Sequence, residues 1–149
     1  MDNTIQKILD WCKLAGIPQN GDDTQFNLWI NLMKEELEET TAATEDNNPE
    51  GILDGLADLI WVTCNWAHMN NLDLVSMLKK VEESNYSKFC TSLDEAVQTV
   101  EAYENGTHWD KLDVKVKCYF DIVGDYYIVK RKDGKILKSI NYKPVNSIK

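Results

Sequence analysis

Glu50-Gly51-Ile52-Leu53-Asp54-Gly55-Leu56-Ala57-Asp58-Leu59-Ile60-Trp61-Val62-Thr63-Cys64-Asn65-Trp66-Ala67-His68-Met69, residues 50–69, is the stretch on which the fold turns. Eleven of its positions, from Ile52 through Ala67, are apolar, and on a helix they cover most of the circumference. A helix apolar on most sides belongs at the centre of a bundle or in a subunit interface. Asp54 and Asp58 interrupt the run four residues apart, on one face. An aspartate inside an otherwise buried helix needs a partner, and the basic residues nearest in sequence are Lys34 and Lys79.

Upstream, Glu45–Pro49 is a polar break, and residues 25–44 form a helix whose apolar face is Phe26, Trp29, Ile30, Leu32, Met33 and Leu37. Asp22, Asp23 and Thr24 offer groups to cap it. Residues 4–15 read as a shorter amphipathic helix stopped by Gly16 and Pro18. Downstream, Asn70-Asn71 ends the central helix, and residues 72–84 make a fourth. Four helices on short loops predict an antiparallel bundle. The pattern then changes. Leu93–Asn105 is a helix opened by Ser92 and Glu95, a capping box. From 112 to 138 the chain alternates and turns β-branched and aromatic, with Asp133-Gly134 as a hairpin signal. The expected fold is mainly α: a helical domain over 1–90, then a small α+β appendage over 91–149 with one helix, an antiparallel hairpin and a tail.

Composition narrows the function. The chain has 149 residues and a net charge of −9, with 43% hydrophobic and 28% charged residues. That is ordinary for a globular protein, and the acidic balance argues against a nucleic-acid binder. No apolar run approaches the ~20 residues that span a bilayer, and the N-terminus lacks the pattern of a secretory leader. Cys12, Cys64, Cys90 and Cys118 stand far apart without a CxxC, which fits small core residues in a reducing, cytoplasmic setting rather than zinc ligation.

The chemistry concentrates in Glu35-Glu36-Leu37-Glu38-Glu39. A solvated acidic face accounts for any one of these. On a helix, though, Glu36 and Glu39 share a face, as do Glu35 and Glu39, and no lysine lies between them, which costs stability unless a cation neutralises them. If the second and third helices are antiparallel neighbours, Asp54 and Asp58 join this group. Oxygen-only ligands on rigid helices suit Mg²⁺, with Mn²⁺ as substitute, and a carboxylate left off the metal can serve as general base. Asp46, Asn48, Glu50 and Gly51 imitate the start of a calcium loop, but its twelfth position is Ala57 and Pro49 lies inside it, so calcium is rejected. No phosphate-binding glycine loop and no GxSxG are present. Lys79–Lys88 reads as the polar end of the fourth helix, or as a place where Lys80, Asn85 and Lys88 meet the phosphates of a nucleotide.

Taken in order, Glu35-Glu36-x-x-Glu39, Asp54-x-x-x-Asp58 and Ser84-Asn85-x-Ser87-Lys88 resemble the MazG-like, all-α nucleoside triphosphate pyrophosphohydrolases, and more narrowly their phage-type branch related to phosphoribosyl-ATP pyrophosphohydrolase. The tail Asp133-Gly134-Lys135-Ile136-Leu137-Lys138-Ser139-x-Asn141-Tyr142-x-Pro144 is similar to the ending of that branch. The resemblance covers about residues 5–90 and 125–145. It implies Mg²⁺-dependent cleavage of a nucleoside triphosphate to a monophosphate and pyrophosphate, in control of the nucleotide pool. It implies Glu36, Glu39 and Asp58 as metal ligands and Glu35 as general base or further metal contact. The usual second motif has its acid at position 55; here Gly55 stands there and Asp54 supplies the carboxylate. It also implies a homodimer or homotetramer, in host cytoplasm if phage-encoded. Trp61 and Asn65, three and seven residues past Asp58, share its face, and suit stacking on a base and reading its edge; Trp11, Phe26 and Trp29 are other candidates, and core packing is the plainer explanation for each. The rival expectations are a non-catalytic acidic interaction protein, or an inactive relative of the same fold.

Overall fold

A computed structural model describes residues 3–149. In chain order the elements are α1 (Thr4–Leu14), α2 (Asp23–Glu45), α3 (Pro49–Met69), α4 (Leu74–Tyr86), α5 (Leu93–Asn105), β1 (Cys118–Val123) and β2 (Tyr126–Arg131), with single 3-10 turns at Trp109–Lys111 and Val145–Ser147. The chain forms two compact units, Met1–Met77 and Leu78–Lys149. The division lies inside α4, upstream of the change of pattern near residue 90. The end of α4 is tied to the tail: the buried Ser84 hydroxyl donates to the Lys143 carbonyl (2.9 Å) and accepts from the Tyr142 hydroxyl (3.0 Å).

In the first unit, α2 and α3 lie against each other along their lengths and α1 rests on α3. The sequence sets both ends of the loop between α2 and α3. The Asn48 side chain accepts from the Gly51 amide (3.1 Å) and Pro49 occupies the first turn of α3, where its missing N–H costs nothing. The Asn48 side chain, read above as an imitation calcium ligand, is a helix cap. At the start of α2, Asp22 and Gln25 form a reciprocal capping box. Ile8, Cys12 and Cys64 are the buried centre of the contact between α1 and α3, extended by Ile5, Leu9, Ile17 and Leu74. Helix packing in this unit thus joins α1, α2 and α3, with Leu74 at the start of α4 set against the contact between α1 and α3.

The second unit is α5 on a two-stranded antiparallel sheet, with Cys118 opposite Arg131 and Val123 opposite Tyr126. Its core is Cys90, Ala96, Tyr103, Val129 and Leu137. Ser92 caps α5 through the Glu95 amide (3.2 Å), but the box is not reciprocal: the Glu95 carboxylate turns back to the Thr91 amide (2.8 Å) and takes the Ser139 hydroxyl as well. The turn between the two strands is one the sequence reading did not single out. It is Gly124-Asp125, with Gly124 at φ +57, which joins β1 to β2; a two-residue loop with a left-handed glycine first matches the twist of such strands. Asp133-Gly134 makes a second tight turn, and the chain beyond it runs back along β2: the Arg131 amide donates to the Lys135 carbonyl (2.9 Å), Lys130 and Ile136 form a bridge, and the Leu137 amide donates to the Val129 carbonyl (2.9 Å). All four cysteines are free thiols, and Cys12, Cys64 and Cys90 are buried. Among the described residues, no helix is long and apolar enough to cross a membrane.

Candidate metal and nucleotide site

The acidic side chains sit where α2 and α3 approach most closely. At Gly55, buried in mid-α3, an added Cβ would fall well within van der Waals contact distance of Thr40 Oγ1 and stand 3.2 Å from Thr40 Cβ and 3.3 Å from its Cα. Thr40 is buried, and its hydroxyl is committed to the Glu36 carbonyl one turn back (2.7 Å). Position 55 therefore serves the crossing of the helices and cannot hold a carboxylate. Asp54, the preceding residue, is rotated about 100° around the helix, out of the contact.

Glu36 is half-buried, while Glu35, Glu39, Asp54 and Asp58 are exposed. The Glu36 carboxyl is held above the ordinary glutamate range, first by its partial burial and then by the charges of Asp58, Glu39, Glu35 and Asp54, in that order. Glu36 thus feels four other carboxylates, two from α2 and two from α3. As they stand they are spread: among the described residues, no three carboxylate, imidazole or thiol groups are gathered closely enough to share an ion. An oxygen-only donor set with excess negative charge, anchored at a fixed helix crossing, fits Mg²⁺ or Mn²⁺ in kind and in charge.

Trp61, one turn beyond Asp58, is partly exposed and meets Trp11 of α1 edge to face, centroids 5.1 Å apart. This leaves an open indole pair beside the acids, and sequence spacing alone gave no reason to join Trp11 to Trp61. Asn65, a further turn along, faces inward. It is fully buried, its amide donates to the Trp61 carbonyl (2.7 Å) and its oxygen accepts from the Cys12 thiol (3.3 Å). Burial raises the Cys12 pKa, which keeps it a thiol and hence a donor. The face carrying Asp58, Trp61 and Asn65 thus passes from surface to core along α3. Trp29 lines a separate cleft of about 210 Å³ with Pro18, Leu28 and Met69.

Lys80, Asn85 and Lys88 all belong to the second unit. Asn85 is exposed; its amide donates to the Val81 carbonyl (2.9 Å) and its oxygen accepts from Lys88 Nζ (2.6 Å). Lys80 is half-buried.

The sequence model of a family described as phosphoribosyl-ATP pyrophosphohydrolase matches residues 6–85, which takes in α1, α2, α3 and most of α4. The tail from 125 to 145 lies outside that match. A relative from Acanthamoeba polyphaga mimivirus, described as uncharacterized protein L479, is 36% identical over 74 residues. The aligned stretch is 50% of this chain and 29% of the relative, so this chain corresponds to under a third of that protein. No solved structure matches the chain.

Proposed function

This chain belongs to the phosphoribosyl-ATP pyrophosphohydrolase family, and from that premise we propose that it is a Mg²⁺-dependent pyrophosphohydrolase cleaving nucleoside or deoxynucleoside triphosphates to a monophosphate and pyrophosphate. The family supports a pyrophosphohydrolase acting on nucleotides; the triphosphate substrate and the metal are our reading. The observation that carries it is the placing of half-buried Glu36 within the field of four other carboxylates carried by two helices that meet at Thr40 and Gly55.

Glu36, Glu39 and Asp58, with Asp54, would hold the metal, which when bound supplies the positive charge that neutralises the phosphate oxygens. Glu35 is exposed on the same acidic turn of α2 and orients a water, taking its proton. The water oxygen bonds to the α-phosphorus as the bond from that phosphorus to the bridging oxygen breaks, and pyrophosphate leaves with the bridging oxygen. The edge-to-face pair of Trp11 and Trp61 offers an aromatic surface to a base.

A panel of ribo- and deoxynucleoside triphosphates, with phosphoribosyl-ATP alongside, checks this. We expect equal amounts of monophosphate and pyrophosphate, observed by phosphorus NMR with Mg²⁺ and no added pyrophosphatase, and no turnover by folded Glu39→Gln or Asp58→Asn. Orthophosphate and a diphosphate as first products would overturn the bond assignment. Full activity in both variants would overturn the metal site.

We propose further that a second copy of the chain completes the helical layer. Leu53, Leu56 and Ile60 form one stripe on α3 and are 69%, 46% and 51% exposed in the single chain. A stripe of three large apolar side chains on the helix bearing the acids is poor surface and good interface.

A further inference from the structure

We propose that the second unit carries a separate site for a compact polyphosphate group, in a cleft of about 300 Å³ lined by Lys88, Lys111, Arg131, Lys135 and Lys138 with Asp110 as its one carboxylate. The observation is a reversal of charge. The chain as a whole is at −9, yet five cations face this one cleft. Net charge does not erase such a patch, because at physiological salt fields are screened over about 8 Å.

Three of the five cations are already held in place. Lys138 Nζ donates to Asp110 Oδ1 (2.6 Å) and lies over the rings of Trp109 and Tyr142, at 5.4 and 5.0 Å from their centroids. Arg131 is gripped by Asp133, and Lys88 by Asn85. Among the described residues, neither Lys111 nor Lys135 forms a salt bridge with its side chain. The walls are rigid: Leu137 is buried in the unit's core and Val116 packs on it. Asp110 and Lys111 are carried by a 3-10 turn, fixed where the Asp110 amide donates to Nδ1 of buried His108 (3.1 Å). Three held cations and two exposed lysines that form no salt bridge among the described residues give this small volume an excess of positive charge, which suits a short multivalent anion. The Asp110 carboxylate on Lys138 marks where one anionic oxygen is already accepted. The volume suits a di- or triphosphate group and is far too small for a nucleic-acid duplex, against which the acidic remainder of the surface also works. The residues of this site lie beyond 6–85, the stretch matched by the family model, although Lys88, Lys135 and Lys138 fall in segments that resemble the phage-type branch; the site is built from the second unit alone.

Titration of the full chain in EDTA at low salt tests this, with sodium tripolyphosphate as probe. EDTA silences any binding that needs a divalent metal. The readout is the indole N–H signal of Trp109, which sits beside Lys138. We expect a saturable shift with one equivalent bound, absent with chloride at matched ionic strength. Lys111→Gln combined with Lys135→Gln should weaken binding at least tenfold, and Glu39→Gln combined with Asp58→Asn should leave it unchanged. Adenosine triphosphate in EDTA separates the two sources of such a group: tighter binding than tripolyphosphate assigns a nucleotide, and equal binding assigns the phosphate chain alone. An unsaturable drift, wild-type affinity in the double lysine variant, or loss of binding in the acid variant would each overturn the site.

Discussion

Gly55 shows how one residue settles a question that motif spacing leaves open. Pattern matching alone finds a missing acid there and a displaced one at Asp54. Packing explains the displacement, since Thr40 occupies the space a side chain at 55 would need. We expect Gly55→Asp to destabilise the protein by about 2 kcal/mol in urea unfolding, because overpacking at a helix contact costs about 1–3 kcal/mol and the carboxylate would also be buried without a partner. Adding Thr40→Ala should restore part of that loss, since the two side chains compete for one volume. A neutral Gly55→Asp would mean that the helices can part there and that position 55 is free to carry an acid. The acidic residues themselves were legible in the sequence, because their helical spacing without lysines is a local property. The inward turn of Asn65 was not, since it depends on where α1 and Cys12 lie.

At the scale of elements, long periodic segments were read well. α1, α2, α3 and α5 fall within two residues of their expected bounds, because amphipathic period and caps are both written locally. The sheet was read less well for a reason visible at Gly124-Asp125 and Asp133-Gly134: both carry hairpin chemistry, and only the flanking residues decide which is followed by a full strand. After Gly124-Asp125 come Tyr126–Arg131, six residues able to pair with β1. After Asp133-Gly134 the chain pairs with β2 from Lys135 to Leu137 and then leaves it, with Leu137 and Ser139 buried. The apolar surround of α3 was legible, but not what covers it. Sedimentation of the wild-type chain should give a dimer or larger. Leu56→Glu combined with Ile60→Glu should give a monomer that still folds, since both positions are about half exposed in the single chain. A monomeric wild type, or a variant of unchanged mass, would remove the second copy from the proposal.

Across the whole molecule, charge is segregated in a way that net charge hides. The first unit sets four carboxylates about Glu36, and the second gathers lysines around Asp110 beside the buried His108. The cleft's cations, with Lys130-Arg131-Lys132 close in sequence, are plain to read, but a run of lysines on a strand is ordinarily solvated surface. Only the fold brings Lys88 and Lys111 to the same cleft.

The same unit fixes the response to acid. His108 is buried and stacked on Tyr103, centroids 3.9 Å apart, and among the described residues its Nε2 has no hydrogen-bond partner. Burial lowers its pKa; the nearby Asp110 charge works in the opposite direction, and the Lys138 charge adds to the lowering. Asp110 and Glu95 are lowered too: burial alone would raise both, and hydrogen bonds from Lys138 to the one and from Ser139 and Thr91 to the other prevail. In each case the unfolded chain binds protons more readily than the folded one, so stability rises with pH in that range. The His108 contribution is complete above the unfolded value of 6.5 and is lost as pH falls through the lower folded one; the carboxylates follow at more acid pH. Protonation of Nδ1 would also remove the acceptor that the Asp110 amide uses. Thermal unfolding followed at Trp109 should therefore show a midpoint falling from pH 7.5 to 5.5. His108→Asn keeps an uncharged acceptor and loses the titration, so it should start lower and fall less over that interval. Parallel slopes for the two proteins would show that His108 does not set the acid response, whatever its burial.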